Sequence, residues 1–143
     1  MISKKFFFAA AVLALLFAGC TQAPAGQPGN TDGQNTGTPQ AYTIEITDEG
    51  YSPGQLTIKQ GDTVTWISRA SRQDWPASAR HPTHTAYPGS GIEKCGTNEQ
   101  GSIFDACKAL SQGESYSFTF NEKGEWAFHN HITAKTFGKI IVQ

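Results

Sequence analysis

Methionine, basic runs and long apolar runs are scarce in this chain of 143 residues. The composition therefore excludes one type of metal ligand, one class of partner and one class of fold. The one methionine is Met1, so a metal site elsewhere in the chain has no thioether ligand. The 11 Lys and Arg residues are balanced by 12 Asp and Glu and form no run, which leaves no footprint for nucleic acid phosphates. Fifteen glycines and seven prolines argue against a helical bundle.

The first 20 residues have the pattern of an export signal. Lys4 and Lys5 precede an apolar run over residues 6–17, which is shorter than the roughly 20 residues needed to span a bilayer. Small residues then lead directly into Cys20. This resembles the bacterial lipoprotein signal, which implies cleavage of residues 1–19, lipidation at Cys20, and a protein anchored at the periplasmic or extracellular face of the cell envelope. An ordinary secretory signal with a chance cysteine is the alternative.

The composition changes twice along the rest of the chain. Residues 20–40 consist mostly of Gly, Pro, Gln, Asn and Thr, and such a segment buries too little apolar surface to offset its ordering entropy. We therefore predict a flexible linker there, which would hold a folded domain away from a membrane. Residues 41–143 form the predicted domain, long enough for one modest core.

Within the domain, apolar and polar residues alternate with a period of two. The apolar members are β-branched or aromatic, and Gly and Asp turns separate the runs, which is the pattern of short strands. They are Tyr42, Ile44, Ile46, Leu56, Ile58, Val64, Trp66, Tyr116, Phe118, Phe120, Trp126, Phe128, Ile140 and Val142. We predict an all-β fold, an antiparallel β-sandwich, with a small closed barrel as the alternative. The pattern fails over residues 68–112, which we interpret as a long functional insertion with a short helical turn near residues 104–110.

Two cysteines, Cys95 and Cys107, lie in this insertion. Because an exported protein meets an oxidising compartment, we predict that they form a disulfide that closes the loop. Metal binding by two thiolates is the less favoured interpretation, because neither cysteine neighbours a histidine. Among the acidic residues of the insertion, Asp74 and Asp105 are expected to be solvated loop residues.

All four histidines fall into two close pairs. His129 and His131 are two apart in a predicted strand, so both rings leave the same face with their Cα atoms about 7 Å apart and can reach one ion. His81 and His84 are three apart, and they can share an ion only if their loop turns. The pairing predicts a metal site made of imidazoles.

The order of several loose motifs resembles the cupredoxins, the plastocyanin-like copper proteins. These motifs are Tyr51-Ser-Pro, Leu56-Thr-Ile, Gly61-Asp-Thr-Val-Thr-Trp, Phe118-Thr-Phe, Gly124-Glu-Trp-Ala-Phe and the terminal Gly138-Lys-Ile-Ile-Val. The resemblance covers the domain except for the insertion. It implies a Greek-key β-sandwich with copper at one end, held by an early His and by Cys, His and Met near the C-terminus.

This chain departs from that ligand set. Counted back from Gly138, His131 falls at the position of the family's second histidine, His129 comes closest to that of its cysteine, and Thr136 occupies that of its methionine. For the first ligand the alignment leaves Asp74, His81 and His84 open. We favour His84, because the following threonine fits the family's His-Thr pattern.

The predicted function is copper binding by His84, His129 and His131, with His81 as a possible fourth ligand. A site of imidazoles without thiolate suits Cu(II) or Zn(II) and should not have the intense colour of blue copper. We expect copper handling at the envelope, or electron transfer, with a redox or copper-transfer protein as partner and no nucleic acid. The alternatives are a zinc- or copper-dependent enzyme and a metal-free interaction module.

Overall fold

The computed structural model describes residues 37–143, which form two four-stranded β-sheets. The predicted signal, Cys20 and most of the predicted linker lie outside the described residues. The strands are β1 (Ala41–Ile46), β2 (Tyr51–Ser52), β3 (Gln55–Ile58), β4 (Thr63–Ser68), β5 (Pro76–Ser78), β6 (Ser115–Thr119), β7 (Gly124–Asn130) and β8 (Phe137–Val142). One sheet has the order β2-β1-β4-β6 and the other β3-β8-β7-β5. Within the described range, none of the helical segments is long and apolar enough to cross a membrane.

The predicted period-two alternation is confirmed by the burial of the strands. β4 alternates strictly, and its Val64 and Trp66 are fully buried. The Trp66 ring lies between the two sheets and contacts Phe128 of β7, with ring centroids 5.3 Å apart. A core of aromatic and β-branched side chains from both sheets therefore holds the fold together.

The predicted all-β sandwich is confirmed, but two of its strand pairings are parallel and not antiparallel. β1 pairs with β4 in parallel, and β3 pairs with β8 in parallel. After β1 the chain forms β2 in the first sheet, crosses to the second sheet as β3, and crosses back as β4. Because of these two crossings, β1 and β4 run in the same direction side by side.

The insertion contains β5 and two short 3₁₀ turns, Ile92–Lys94 and Gln100–Ser102, but no helix over residues 104–110. The helical turn predicted there was wrong, because the backbone of that segment bonds to β5 and to the residues just before it. The N–H of Ala106 donates to the carbonyl of Pro76 (3.0 Å), and the N–H of Leu110 donates to the carbonyl of Asp74 (2.7 Å). The predicted Cys95–Cys107 disulfide is present, and it rules out thiolate binding at this pair.

Candidate metal centre

The structure brings all four histidines of the described residues together at the C-terminal end of β7. One nitrogen of each ring lies within 4.8 Å of the corresponding nitrogens of the others. The set comprises His81, His84, His129 and His131. His81 and His129 are 48 residues apart in the sequence, so two distant segments of the chain meet in this cluster.

The strand pair is fixed by backbone pairing on both sides of β7. His129 lies opposite Ala77 of β5 and Phe137 of β8. His131 follows the end of the strand, and its N–H donates to the carbonyl of Trp75 (2.8 Å). The two imidazole centroids are 6.5 Å apart, so both rings face the cluster, as the spacing of two residues in a strand predicts.

The loop pair is brought together by a tight turn. The carbonyl of Arg80 accepts the N–H groups of both Thr83 (2.8 Å) and His84 (2.9 Å). His84 itself has a φ of +60°, a left-handed conformation that reverses the chain. The turn places the rings of His81 and His84 with their centroids 6.4 Å apart. The loop therefore makes the turn that His81 and His84 need in order to share one ion.

Each loop histidine contacts one strand histidine. His81 Nδ1 lies 3.4 Å from His129 Nε2, and His84 Nε2 lies 2.8 Å from His131 Nδ1. Metal–imidazole bonds of about 2.1 Å allow two nitrogens on one ion to be at most about 4.2 Å apart. The two contacts are within this limit, and the widest pair in the cluster exceeds it by at most about 0.6 Å.

One side of the cluster is buried and the other is exposed to solvent. His84 and His129 are fully buried, with 0% and 1% of their surface exposed, whereas His131 is half-buried and His81 is exposed. Burial, together with repulsion from the three neighbouring imidazoles, lowers the pKa of His129 to about 4. Burial and the charges of His84 and His81 lower the pKa of His131 as well. Both rings are therefore neutral at physiological pH, which is the form that binds a metal.

The lowered pKa of His129 predicts a pH dependence of stability. A histidine in the unfolded chain has a pKa of about 6.5, so between pH 6.5 and about 4 the unfolded state takes up a proton that the folded state does not. The free energy of unfolding of the metal-free protein should fall by about 3 kcal/mol as the pH drops through this window. Urea unfolding across the window measures it. The His129→Gln variant should have a shallower dependence, and equal slopes in both proteins would contradict the prediction.

The acidic residue that contacts the cluster is Asp105. Its Oδ2 lies 2.5 Å from His84 Nδ1, while its Oδ1 accepts the indole N–H of Trp75 (2.6 Å) and the N–H of Cys107 (2.7 Å). Burial alone would raise the pKa of Asp105, but these hydrogen bonds outweigh it and hold the pKa below its usual range. The prediction that Asp105 is a solvated loop residue was wrong, because it is 1% exposed.

Asp74, the acidic candidate for the first ligand position, lies outside the cluster and is fully buried rather than solvated. Its carboxylate accepts hydrogen bonds from the hydroxyl of Tyr51 (2.8 Å) and the side-chain amide of Asn130 (2.5 Å). Burial raises the pKa of Asp74. The amide oxygen of Asn130 in turn accepts the N–H groups of Trp75 (3.2 Å) and Ile132 (2.9 Å). Asp74 thus supports the strand end that carries the histidines.

Neither sulfur ligand of the blue copper set has a counterpart near the cluster. Thr136 is not part of it, and its carbonyl accepts the N–H of Asn130 (2.9 Å). Both cysteines of the described range are in the disulfide. The ring of Trp75 instead packs on His131, with centroids 4.5 Å apart, and covers that side of the cluster.

Residues 40–143 match the family described as copper binding proteins, plastocyanin/azurin family. Among solved structures, a novel purple cupredoxin from Nitrosopumilus maritimus is similar at 22% identity and a TM-score of 0.53, over 71% of this chain and 99% of that one. An oxidised point mutant of amicyanin is similar at 24% identity and a TM-score of 0.53, over 71% of this chain and 81% of that one. No curated protein sequence matches the chain. At these identities the structural likeness establishes the fold.

Proposed function

Since the chain belongs to the plastocyanin/azurin family of copper-binding proteins, we propose that it binds one copper ion through a site of histidines alone. The observation that carries the proposal is the convergence of four imidazole nitrogens to within 4.8 Å of one another. The ligands are His84, His129 and His131, with His81 as the fourth. Two buried and two accessible rings give a site that is fixed on one side and reachable from solvent on the other.

The donor set fits copper, but not the blue copper type. Neutral imidazoles are borderline ligands that suit Cu(II) and Zn(II), whereas thiolate and thioether ligands favour Cu(I). The lowered pKa values of His129 and His131 keep both rings available for binding below neutral pH. A copper ion held here would supply a mononuclear centre without thiolate charge transfer.

We place this copper site in copper handling at the cell envelope, with electron transfer as the alternative role. The lipoprotein-like residues up to Cys20 support export and a lipid anchor. The exposed ring of His81 supports exchange of the ion with a protein partner, because a ligand at the surface can be replaced without opening the core.

Replacing Cys20 by serine should move the protein from the membrane fraction to the soluble fraction of its host.

The spectrum of the Cu(II)-loaded protein tests the site. The protein should be prepared without a histidine tag and with Cys20→Ser, so that no added imidazole or free thiol binds copper. We expect one equivalent of Cu(II), an electron paramagnetic resonance spectrum with nitrogen couplings and ordinary copper hyperfine splitting, and no intense visible absorption. A thiolate charge-transfer band, or copper bound without nitrogen couplings, would contradict the proposal. Competition with Zn(II) on the same sample measures the preference between the two ions.

A further inference from the structure

The carboxylate of Asp105 is the feature of the site that the family's ligand set does not explain. Among the described residues, it is the one carboxylate hydrogen-bonded to a histidine of the cluster. It belongs to the insertion, 21 residues after His84. It is also buried, although a buried carboxylate is costly unless its hydrogen bonds are satisfied.

Three donors hold this carboxylate in a single orientation. Oδ1 accepts from both Trp75 and Cys107, which leaves Oδ2 directed at His84 Nδ1. Because the two donors on Oδ1 come from different segments, the carboxylate cannot rotate without losing at least one of them. Neither of the two donors on Oδ1 belongs to the histidine cluster.

This orientation selects the tautomer of His84. A carboxylate without a proton can only accept, so the nitrogen 2.5 Å from Oδ2 must carry the hydrogen. His84 therefore has its proton on Nδ1 and a free lone pair on Nε2. Nε2 is the nitrogen that lies 2.8 Å from His131 Nδ1, inside the cluster.

We propose that Asp105 is a positioning and specificity-determining residue, which presents His84 Nε2 to the ion and biases the site toward the divalent state of copper. This rests on the proposed function. Four neutral imidazoles contribute no net charge, so the negative charge behind His84 makes that ring a stronger donor and stabilises Cu(II) more than Cu(I). The carboxylate thus takes over part of the electronic role that a charged ligand would have.

The Asp105→Asn variant separates this role from a structural one. An amide can satisfy Trp75 and Cys107 only through its oxygen, which turns its NH₂ group toward His84 and forces the proton onto Nε2. We expect Cu(II) affinity to fall about 10- to 100-fold, as is typical when the supporting partner of a ligand is lost, and Cu(I) affinity to change much less. A tenfold change in the ratio of the two affinities raises the Cu(II)/Cu(I) midpoint potential by about 59 mV.

Glu125→Gln is the matched control, because it also replaces a carboxylate by an amide, but the Glu125 side chain is exposed on β7 and is not part of the histidine cluster. Its affinities should stay within about threefold of the unchanged protein. Equal losses of Cu(II) and Cu(I) affinity in Asp105→Asn, with no change in potential, would reduce Asp105 to a structural residue and overturn the proposal.

A measurement without metal keeps the proposal testable if Asp105→Asn does not fold. Nitrogen NMR of the metal-free, unchanged protein should find His84 protonated on Nδ1. A proton on Nε2 would overturn the proposal, whether or not copper binds. Failure of the unchanged protein to bind Cu(II) would reject the proposed function, while the tautomer measurement would still decide the positioning of His84.

Discussion

Replacing His129 by alanine is expected to lower the Cu(II) affinity of the protein by at least about 100-fold, since even partners that merely support a ligand contribute 10- to 100-fold. His129 is 1% exposed, and its backbone is paired with β5 and with β8. No rearrangement of the strand can therefore bring a substitute donor to its position. Titration of the variant with Cu(II) against a competing chelator measures the loss.

The size of the loss should follow burial around the cluster. His84→Ala is expected to resemble His129→Ala, because both rings are fixed in the interior, whereas His81→Ala should cost about tenfold, because its exposed ring is replaceable by water. Glu125→Ala is the control, since Glu125 lies on the same strand with its side chain exposed. Unchanged stoichiometry and affinity in His129→Ala would reject the histidine site.

The strands were predictable because a strand that is buried on one face alternates apolar and polar residues in its sequence. Trp66 and Val64 alternate with polar residues, and the structure buries exactly that face of β4. β5 has no such alternation in its sequence. Pro76–Ser78 is three residues long and buried throughout, so it has no alternation to detect. The parallel pairing of β1 with β4 was also invisible, because it depends on where the chain crosses between the sheets.

Only the part of the site that depends on local strand geometry was predictable from spacing. A spacing of two in a strand directs His129 and His131 to one face, whatever the rest of the fold does. The meeting of this pair with His81 and His84 depends on the turn at Arg80, which the sequence did not specify. The family resemblance supplied the remaining link, because it placed a metal at this end of the sandwich.

The supporting residues were missed for a related reason. Asp105 and Asp74 sit in a Gly- and Pro-containing insertion, where acidic residues are usually solvated. Each is buried because its partners come from elsewhere: Asp105 bonds to His84, and Asp74 bonds to Tyr51 and Asn130. Sequence spacing carries no information about such long-range hydrogen bonds. An acidic residue between two core residues, as Asp105 is between Phe104 and Ala106, is the one local signal that was available.

The disulfide links the stability of the insertion to the geometry of the site. Cys107 is two residues after Asp105, and its N–H donates to the Asp105 carboxylate. The bond to Cys95, 12 residues earlier, closes a loop that contains the second 3₁₀ turn, Gln100–Ser102, and begins directly after the first, Ile92–Lys94. Closing a loop of this length removes conformational freedom mainly from the unfolded chain.

Replacing both Cys95 and Cys107 by serine is therefore expected to lower the free energy of unfolding by about 3 kcal/mol. Cu(II) affinity should fall by no more than about tenfold, because the histidines and the Asp105–His84 hydrogen bond do not include the sulfur atoms. The double variant is required, since a single variant would leave a thiol that itself binds copper. Urea unfolding of the metal-free protein, with Cys20→Ser in both samples, measures the stability. An unchanged midpoint would mean that the loop is held by its burial against the core and not by the cross-link.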